Sequence, residues 1–158
     1  MNLQITPAKL QGTVKIPASK SAAHRLLLCA AFANGESRLS GFSPSADMTA
    51  TRNGLKALGA ETELSGDTVL VRPGVPTGGE IDCGESGSTL RFLIPPALAL
   101  SGGKEIVFAG HGRLMERPLS PYFSLFEEKG VRWKQEGNRL VIQGRLLPGK
   151  YALSGKIS

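Results

Sequence analysis

Two segments rich in small residues each deliver cations to the predicted start of an apolar helix. Segment 17–25 reads Pro-Ala-Ser-Lys-Ser-Ala-Ala-His-Arg, and segment 82–91 reads Asp-Cys-Gly-Glu-Ser-Gly-Ser-Thr-Leu-Arg. A helix start carries unpaired N–H groups and a partial positive charge, so it attracts phosphate and carboxylate. Small residues let such a ligand approach the backbone. Ser21 adds a hydroxyl donor, Lys20 adds a full charge, and Arg25 lies about one turn further along. Arg91 holds the comparable place in the second segment. Each feature also has an ordinary reading. Serines at helix starts are commonly caps, and an arginine inside an apolar helix can belong to a structural ion pair. On local chemistry alone both readings stand.

A third loop, 111–118, reads His-Gly-Arg-Leu-Met-Glu-Arg-Pro. It follows a predicted strand and precedes a predicted helix, where functional groups often sit. Arg113 and Arg117 have the fork geometry for bidentate contact with a carboxylate or phosphate. The expectation is a functional Arg113 and a structural Glu116–Arg117 pair. His24 and His111 have no metal-ligand spacing, so no metal and no cofactor is expected. No Ser-His-Asp or Cys-His set emerges from spacing.

Anion chemistry suits the composition. The chain of 158 residues carries a net charge of +6 and has a pI of about 9.6. Its basic residues are scattered, with one Trp and two Tyr. No basic block and no interleaved aromatic platform points to nucleic acid, so small anions are the better match. No apolar run is long enough to span a bilayer, and the N-terminus lacks the order of a signal peptide. A cytoplasmic protein without a membrane partner is expected. Cys29 and Cys83 form no CxxC motif and are expected to be reduced, buried thiols.

The elements that must position these loops recur. Leu55 to Gly59 aligns with Phe126 to Gly130, 71 residues on, and the alignment continues without a gap. Gly66 meets Gly137, Asp67 meets Asn138, Val69 meets Leu140 and Val71 meets Ile142. Both segments read as helix end, glycine stop, strand, tight turn, strand. Further back, strands are predicted over 13–16 and 80–82, each leading into one of the small-residue loops. Helices follow over 21–32 and 88–100. They are apolar nearly all round, so burial on every side is expected. Strands near 37–39 and 105–108 come next. Second helices start near Asp47, read as an N-cap acid, and Pro118, read as an N1 proline. Leu119, Tyr122, Phe123 and Phe126 recur at i, i+3, i+4 and i+7, an amphipathic outer helix.

The predicted fold is therefore α/β (α+β), built from repeated βαβαββ units. The expected divisions are an N-terminal segment 1–17, a first unit 18–79, a second unit 80–149, and the opening of a third at 150–158. A chain that ends where a third inner helix should begin reads as truncated.

The motifs resemble a known family. Lys20-Ser21 with Arg25, then Gly84, Gly87, Ser88 and Arg91, then Arg113 with Glu116-Arg117-Pro118, stand in the order seen in 5-enolpyruvylshikimate-3-phosphate synthases. The resemblance covers nearly the whole chain. It implies transfer of the enolpyruvyl group of phosphoenolpyruvate to the 5-hydroxyl of shikimate 3-phosphate, with release of phosphate. It implies that Lys20 touches both substrates and acts in catalysis. Ser21, Arg25 and Ser158 would hold shikimate 3-phosphate, and Gly87 and Arg113 would hold phosphoenolpyruvate. Arg91 and Arg117 are further candidates. It also implies two domains of three units each, with the site between them and the first strand or so crossing to the other domain. The full-length protein would be monomeric. The present chain would be inactive alone and prone to self-association through inner-helix surface.

One departure is Glu85-Ser86-Gly87, where many members carry Asn-Ala-Gly. A carboxylate at Glu85 would repel phosphoenolpyruvate unless it turns away or pairs with a cation. The sister family that transfers enolpyruvyl to UDP-N-acetylglucosamine fits less well. It typically has Lys-Asn in place of Lys20-Ser21, and often a cysteine in the loop matching 111–117. A non-catalytic anion-binding module of βαβαββ repeats is the alternative of another class, and a nucleic-acid binder ranks third.

Overall fold

The computed structural model describes residues 3–4, 6–9, 11–76 and 78–153. Four helices and two sheets alternate along the chain. The order is α1 (Lys20–Ala31), β1 (Ser37–Leu39), α2 (Ala46–Ala57), β2 (Glu61–Ser65), β3 (Thr68–Arg72), β4 (Gly79–Asp82), α3 (Gly87–Leu100), β5 (Glu105–Ala109), α4 (Ser120–Lys129), β6 (Arg132–Glu136) and β7 (Arg139–Gln143). A short 3-10 turn, Leu114–Glu116, lies between β5 and α4. One sheet has the order β1-β3-β2 and the other β4-β5-β7-β6. The triplet β5-β7-β6 repeats the connectivity of β1-β3-β2, so the sequence repeat is also a repeat of topology.

The repeated hairpins follow from their turn residues. Ser65 pairs with Thr68, and Glu136 pairs with Arg139. The two-residue turns between them begin with Gly66 at φ 58° and Gly137 at φ 54°. Among the described residues only glycines take positive φ. Asp67 and Asn138 therefore keep ordinary angles, the pattern of a turn with glycine in its first central position.

The strand expected over 13–16 does not form. Residues 13–16 join no sheet, and Val14 and Ile16 remain 83% and 84% exposed. In the second unit, β4 pairs in parallel with β5. The matching flank of β1 carries no described strand. Two apolar side chains between Gly12 and Pro17, with no surface to bury them, do not offset the entropy of ordering a strand.

The inner helices differ from one another. Helix α3 buries Leu90, Leu93, Ile94, Ala97 and Leu98 completely. Helix α1 buries only the face bearing His24, Leu27, Ala30 and Ala31. Leu26 is 53% exposed, and Cys29 is also exposed. This corrects the expectations of all-round burial and of two buried thiols. The residues facing away from α2 and β3 have no described layer against them. Cys83 is fully buried beneath α3, and burial pushes its thiol up to about 12.

Caps fix where the outer helices start. Ser45, not Asp47, is the N-cap of α2, its Oγ accepting from the N–H of Met48 at 3.3 Å. Asp47 sits in the first turn, where a carboxylate complements the helix dipole. Helix α4 has no side-chain cap, and its early proline is Pro121 rather than Pro118. A proline there has no N–H to leave unpaired. Helix α3 contains Pro95 and Pro96. Pro95 cannot donate to the carbonyl of Arg91 four residues back. The hydroxyl of Tyr122 on α4 donates to that carbonyl instead, at 2.7 Å.

Candidate functional site

The starts of α1, α2 and α3 lie side by side. Nζ of Lys20, the first residue of α1, is 2.5 Å from a carboxylate oxygen of Asp47 in the first turn of α2. The backbone carbonyl of Asp47 accepts from Oγ1 of Thr89, in the first turn of α3, at 3.3 Å. Serines cap two of these starts in the ordinary way. Ser19 Oγ accepts from Ala22 N–H at 3.3 Å, and Ser86 Oγ accepts from Thr89 N–H at 3.2 Å.

Cations gather where the helix dipoles are positive. Neither α1 nor α3 has an acidic residue in its first turn. Lys20 opens α1 with 57% of its side chain exposed. Arg25 folds back on Ser21, donating from Nη1 to the Ser21 carbonyl at 2.9 Å and to its Oγ. Its guanidinium also lies 4.8 Å from the ring centre of Phe92 on α3. Arg25 thus has no carboxylate partner among the described ion pairs.

At the start of α3 two guanidiniums close on Gly87. A Cβ added there would stand 2.7 Å from Nη1 of Arg117 and 2.8 Å from Nη1 of Arg91. Arg91 is steadied by donating to the carbonyl of Pro118 at 3.1 Å. The expected Glu116–Arg117 pair does not form. Glu116 accepts from Nε of Arg113 at 2.6 Å, three residues back across the 3-10 turn. That leaves Arg117 for Gly87, while Arg113 is 88% exposed and held by Glu116. The described contacts therefore bring Lys20, Ser21, Arg25, Gly87, Arg91 and Arg117 to the helix starts, and leave Arg113 on the rim. Ser158 lies outside the described residues.

The loop before α3 is latched to the loop after β5. His111 N–H donates to the Gly84 carbonyl at 2.7 Å, and its Nε2 is 3.0 Å from Asp82. Asp82 also accepts from the N–H of Gly84 at 2.8 Å. That backbone bond, with help from His111 and against a smaller burial penalty, holds the Asp82 carboxyl below its ordinary range. Glu85 turns its carboxylate against Gly112, whose φ is +53°. A Cβ on Gly112 would meet that carboxylate at 2.7 Å.

A polar chain beneath these groups escaped the sequence reading. His24, Thr51 and Thr89 are fully buried and connected across α1, α2 and α3. Their separations of 27 and 38 residues leave no periodic signal. No group of three or more candidate metal ligands occurs among the described residues.

Known proteins resemble this chain over nearly its whole length. The family profile described as EPSP synthase (3-phosphoshikimate 1-carboxyvinyltransferase) matches residues 5–154. A 3-phosphoshikimate 1-carboxyvinyltransferase of Clostridium perfringens is 41% identical over 166 aligned residues, covering 98% of this chain and 37% of the relative. One from Clostridium novyi is 38% identical, covering 99% of this chain and 39% of the relative. A solved EPSP synthase from Acinetobacter baumannii superimposes with a TM-score of 0.71 at 23% identity, over 84% of this chain and 32% of that structure. The chain thus spans little more than a third of the length of these curated relatives. With the profile matching almost end to end, the chain belongs to the EPSP synthase family.

Proposed function

We propose that this chain supplies one wall of a site for two anionic substrates, phosphoenolpyruvate and shikimate 3-phosphate. The whole protein would transfer the enolpyruvyl group to the 5-hydroxyl of the latter and release phosphate. One observation carries the reading: cations converge on the positive starts of α1 and α3 without acids in either first turn. Each cation at such a place is opposed by the dipole, by about 0.3–1 kcal/mol. A bound anion reverses the sign of that cost.

In this reading Lys20, Ser21 and Arg25 hold shikimate 3-phosphate at the start of α1. Lys20 also reaches phosphoenolpyruvate, exchanging Asp47 for substrate. Gly87 admits phosphoenolpyruvate to the backbone of α3, with Arg91 and Arg117 beside it and Arg113 closing from the rim. Ser158 is assigned to shikimate 3-phosphate by its place in the motif. Two mutually repelling anions need fixed positive charge to come together, and Lys20 stands where it can serve both and assist proton movement. The reading requires no cofactor, metal, nucleic acid or membrane, and places the protein in the cytoplasm. It keeps the divisions 1–17, 18–79, 80–149 and 150–158. It also keeps a monomeric full-length protein and a self-associating 158-residue chain, the latter supported by exposed Leu26 and Phe32 on and just past α1.

Lys20→Ala tests the assignment in a protein extended to the length of the relatives. Turnover should fall by about a hundred- to a thousandfold, as expected when a preorganised charge is lost, with the fold intact by circular dichroism. Kinetics equal to the parent protein would sink the assignment.

A further inference from the structure

Nε2 of His24 is a buried polar side-chain atom with no hydrogen-bond partner. The ring is fully buried. Burial lowers its pKa, Lys20 and Arg25 lower it further, and Asp47 on α2 opposes them. The imidazole is therefore neutral near pH 7, with one nitrogen donating and the other accepting.

The neighbouring hydroxyls decide which nitrogen carries the proton. Nδ1 lies 2.8 Å from Oγ1 of Thr51, which lies 2.7 Å from Oγ1 of Thr89. Oγ1 of Thr89 is 2.8 Å from Oγ of Ser86 and 3.3 Å from the carbonyl of Asp47. A carbonyl only accepts, so the Thr89 proton belongs on the Ser86 and Asp47 side. The Thr89 oxygen then accepts from Thr51, and Thr51 accepts from Nδ1–H of His24. The reverse direction would point two oxygens at each other across the Thr89–Asp47 contact. It would also bury an unpaired N–H at Nε2, a rarer and costlier arrangement than an unpaired acceptor.

We infer that His24 and Thr51 are positioning residues, forming with Thr89 a one-way buried chain, His24 to Thr51 to Thr89 to Ser86, that fixes the start of α3 relative to α1 and α2. The chain sets the distance between the Lys20–Arg25 cluster and the Gly87–Arg91–Arg117 cluster, which must be right for two anions to react. Ser86 Oγ also accepts from the N–H of Thr89 at 3.2 Å, which ties the end of the chain to the first turn of α3. The inference rests on the anion-binding reading above.

The 158-residue chain labelled with nitrogen-15 tests it. At pH 7, His24 should show a protonated Nδ1 and a bare Nε2. Inorganic phosphate should shift the amide signals of Gly87 and Ser88. Thr51→Val, which keeps shape but removes the hydroxyl, should retain the fold yet weaken phosphate at Gly87 by about fivefold. Thr51→Ser should restore both the affinity and the His24 signature. A His24 protonated at Nε2, or unchanged phosphate affinity in a folded Thr51→Val, overturns the inference. Should Thr51→Val fail to fold, the tautomer in the parent chain and the affinity of Thr51→Ser decide. Absence of any phosphate shift at Gly87 in the parent chain would overturn the anion reading and the positioning role with it. The tautomer would still report whether the hydrogen-bond chain runs as drawn.

Discussion

Gly87 shows how one missing methyl can organise two charges. The place a Cβ would take is occupied by the guanidiniums of Arg91 and Arg117, each at the end of a flexible side chain. Gly87→Ala would not strain the backbone, because Gly87 is absent from the positive-φ glycines. In a helix it should add up to about 1 kcal/mol of propensity. The two guanidiniums would have to move apart. We therefore expect unfolding temperature to hold or rise, while phosphate affinity at α3 falls about tenfold, the weight of one charge-assisted hydrogen bond. Paired thermal melts and phosphate titrations check this, and equal affinity in the two proteins would refute it. His24 makes a prediction in pH. Its folded pKa lies below the unfolded value of 6.5. Above pH 6.5 both states are neutral there and nothing is lost. As pH falls below 6.5 the unfolded chain takes up a proton that the folded chain refuses, so stability declines towards the lowered folded pKa. Asp82 adds a separate loss at more acid pH, below its ordinary value of 3.8. Thermal melts from pH 7 to 5 should show the first loss, and His24→Gln should flatten it.

Helix α3 carries two prolines and remains a helix of 14 residues because α4 repairs it. The Tyr122 hydroxyl occupies the carbonyl that Pro95 cannot reach, and burial raises the Tyr122 pKa against the pull of Arg91. Tyr122→Phe keeps the ring but leaves the Arg91 carbonyl without that donor. A cost of about 1–3 kcal/mol is expected, measured by urea denaturation with an unchanged slope. An unaltered midpoint would show that water replaces the hydroxyl. Much at this scale was legible in the sequence. The period of Leu119, Tyr122, Phe123 and Phe126 marked α4, and the two glycine turns marked both hairpins. What failed depended on packing and local geometry that spacing does not report. The strand over 13–16 has the right residues but no neighbour beside it. In a linear reading Glu116 stands next to Arg117 and three residues from Arg113; the 3-10 turn brings Arg113 round to it. Asp47 resembled a cap until Ser45 took the role and left its carboxylate for Lys20.

At the scale of the whole molecule, the candidate cations line an open surface. Lys20 is 57% exposed and Arg113 88% exposed. The anion motifs were readable because helix starts concentrate them in short segments. Their mutual placement was not, because it rests on the His24–Thr51–Thr89 contacts between helices. Openness limits what the 158-residue chain can do. A charge pair at about 4 Å gains about 1 kcal/mol in water but about 4 kcal/mol at the effective dielectric of a protein surface. Three or four water-exposed contacts therefore give about 4 kcal/mol, a millimolar dissociation constant. Transition-state charge is stabilised far more strongly in a water-excluded site. We expect phosphoenolpyruvate and shikimate 3-phosphate each to bind this chain in the millimolar range, more weakly as salt rises. Mixed together with it, they should release no phosphate. Calorimetry in low and high salt measures the first, and a phosphate-release assay the second. Micromolar, salt-insensitive binding would show that the surface is more enclosed than its exposure implies. Steady phosphate release would show that the helix-start cations alone suffice for the transfer.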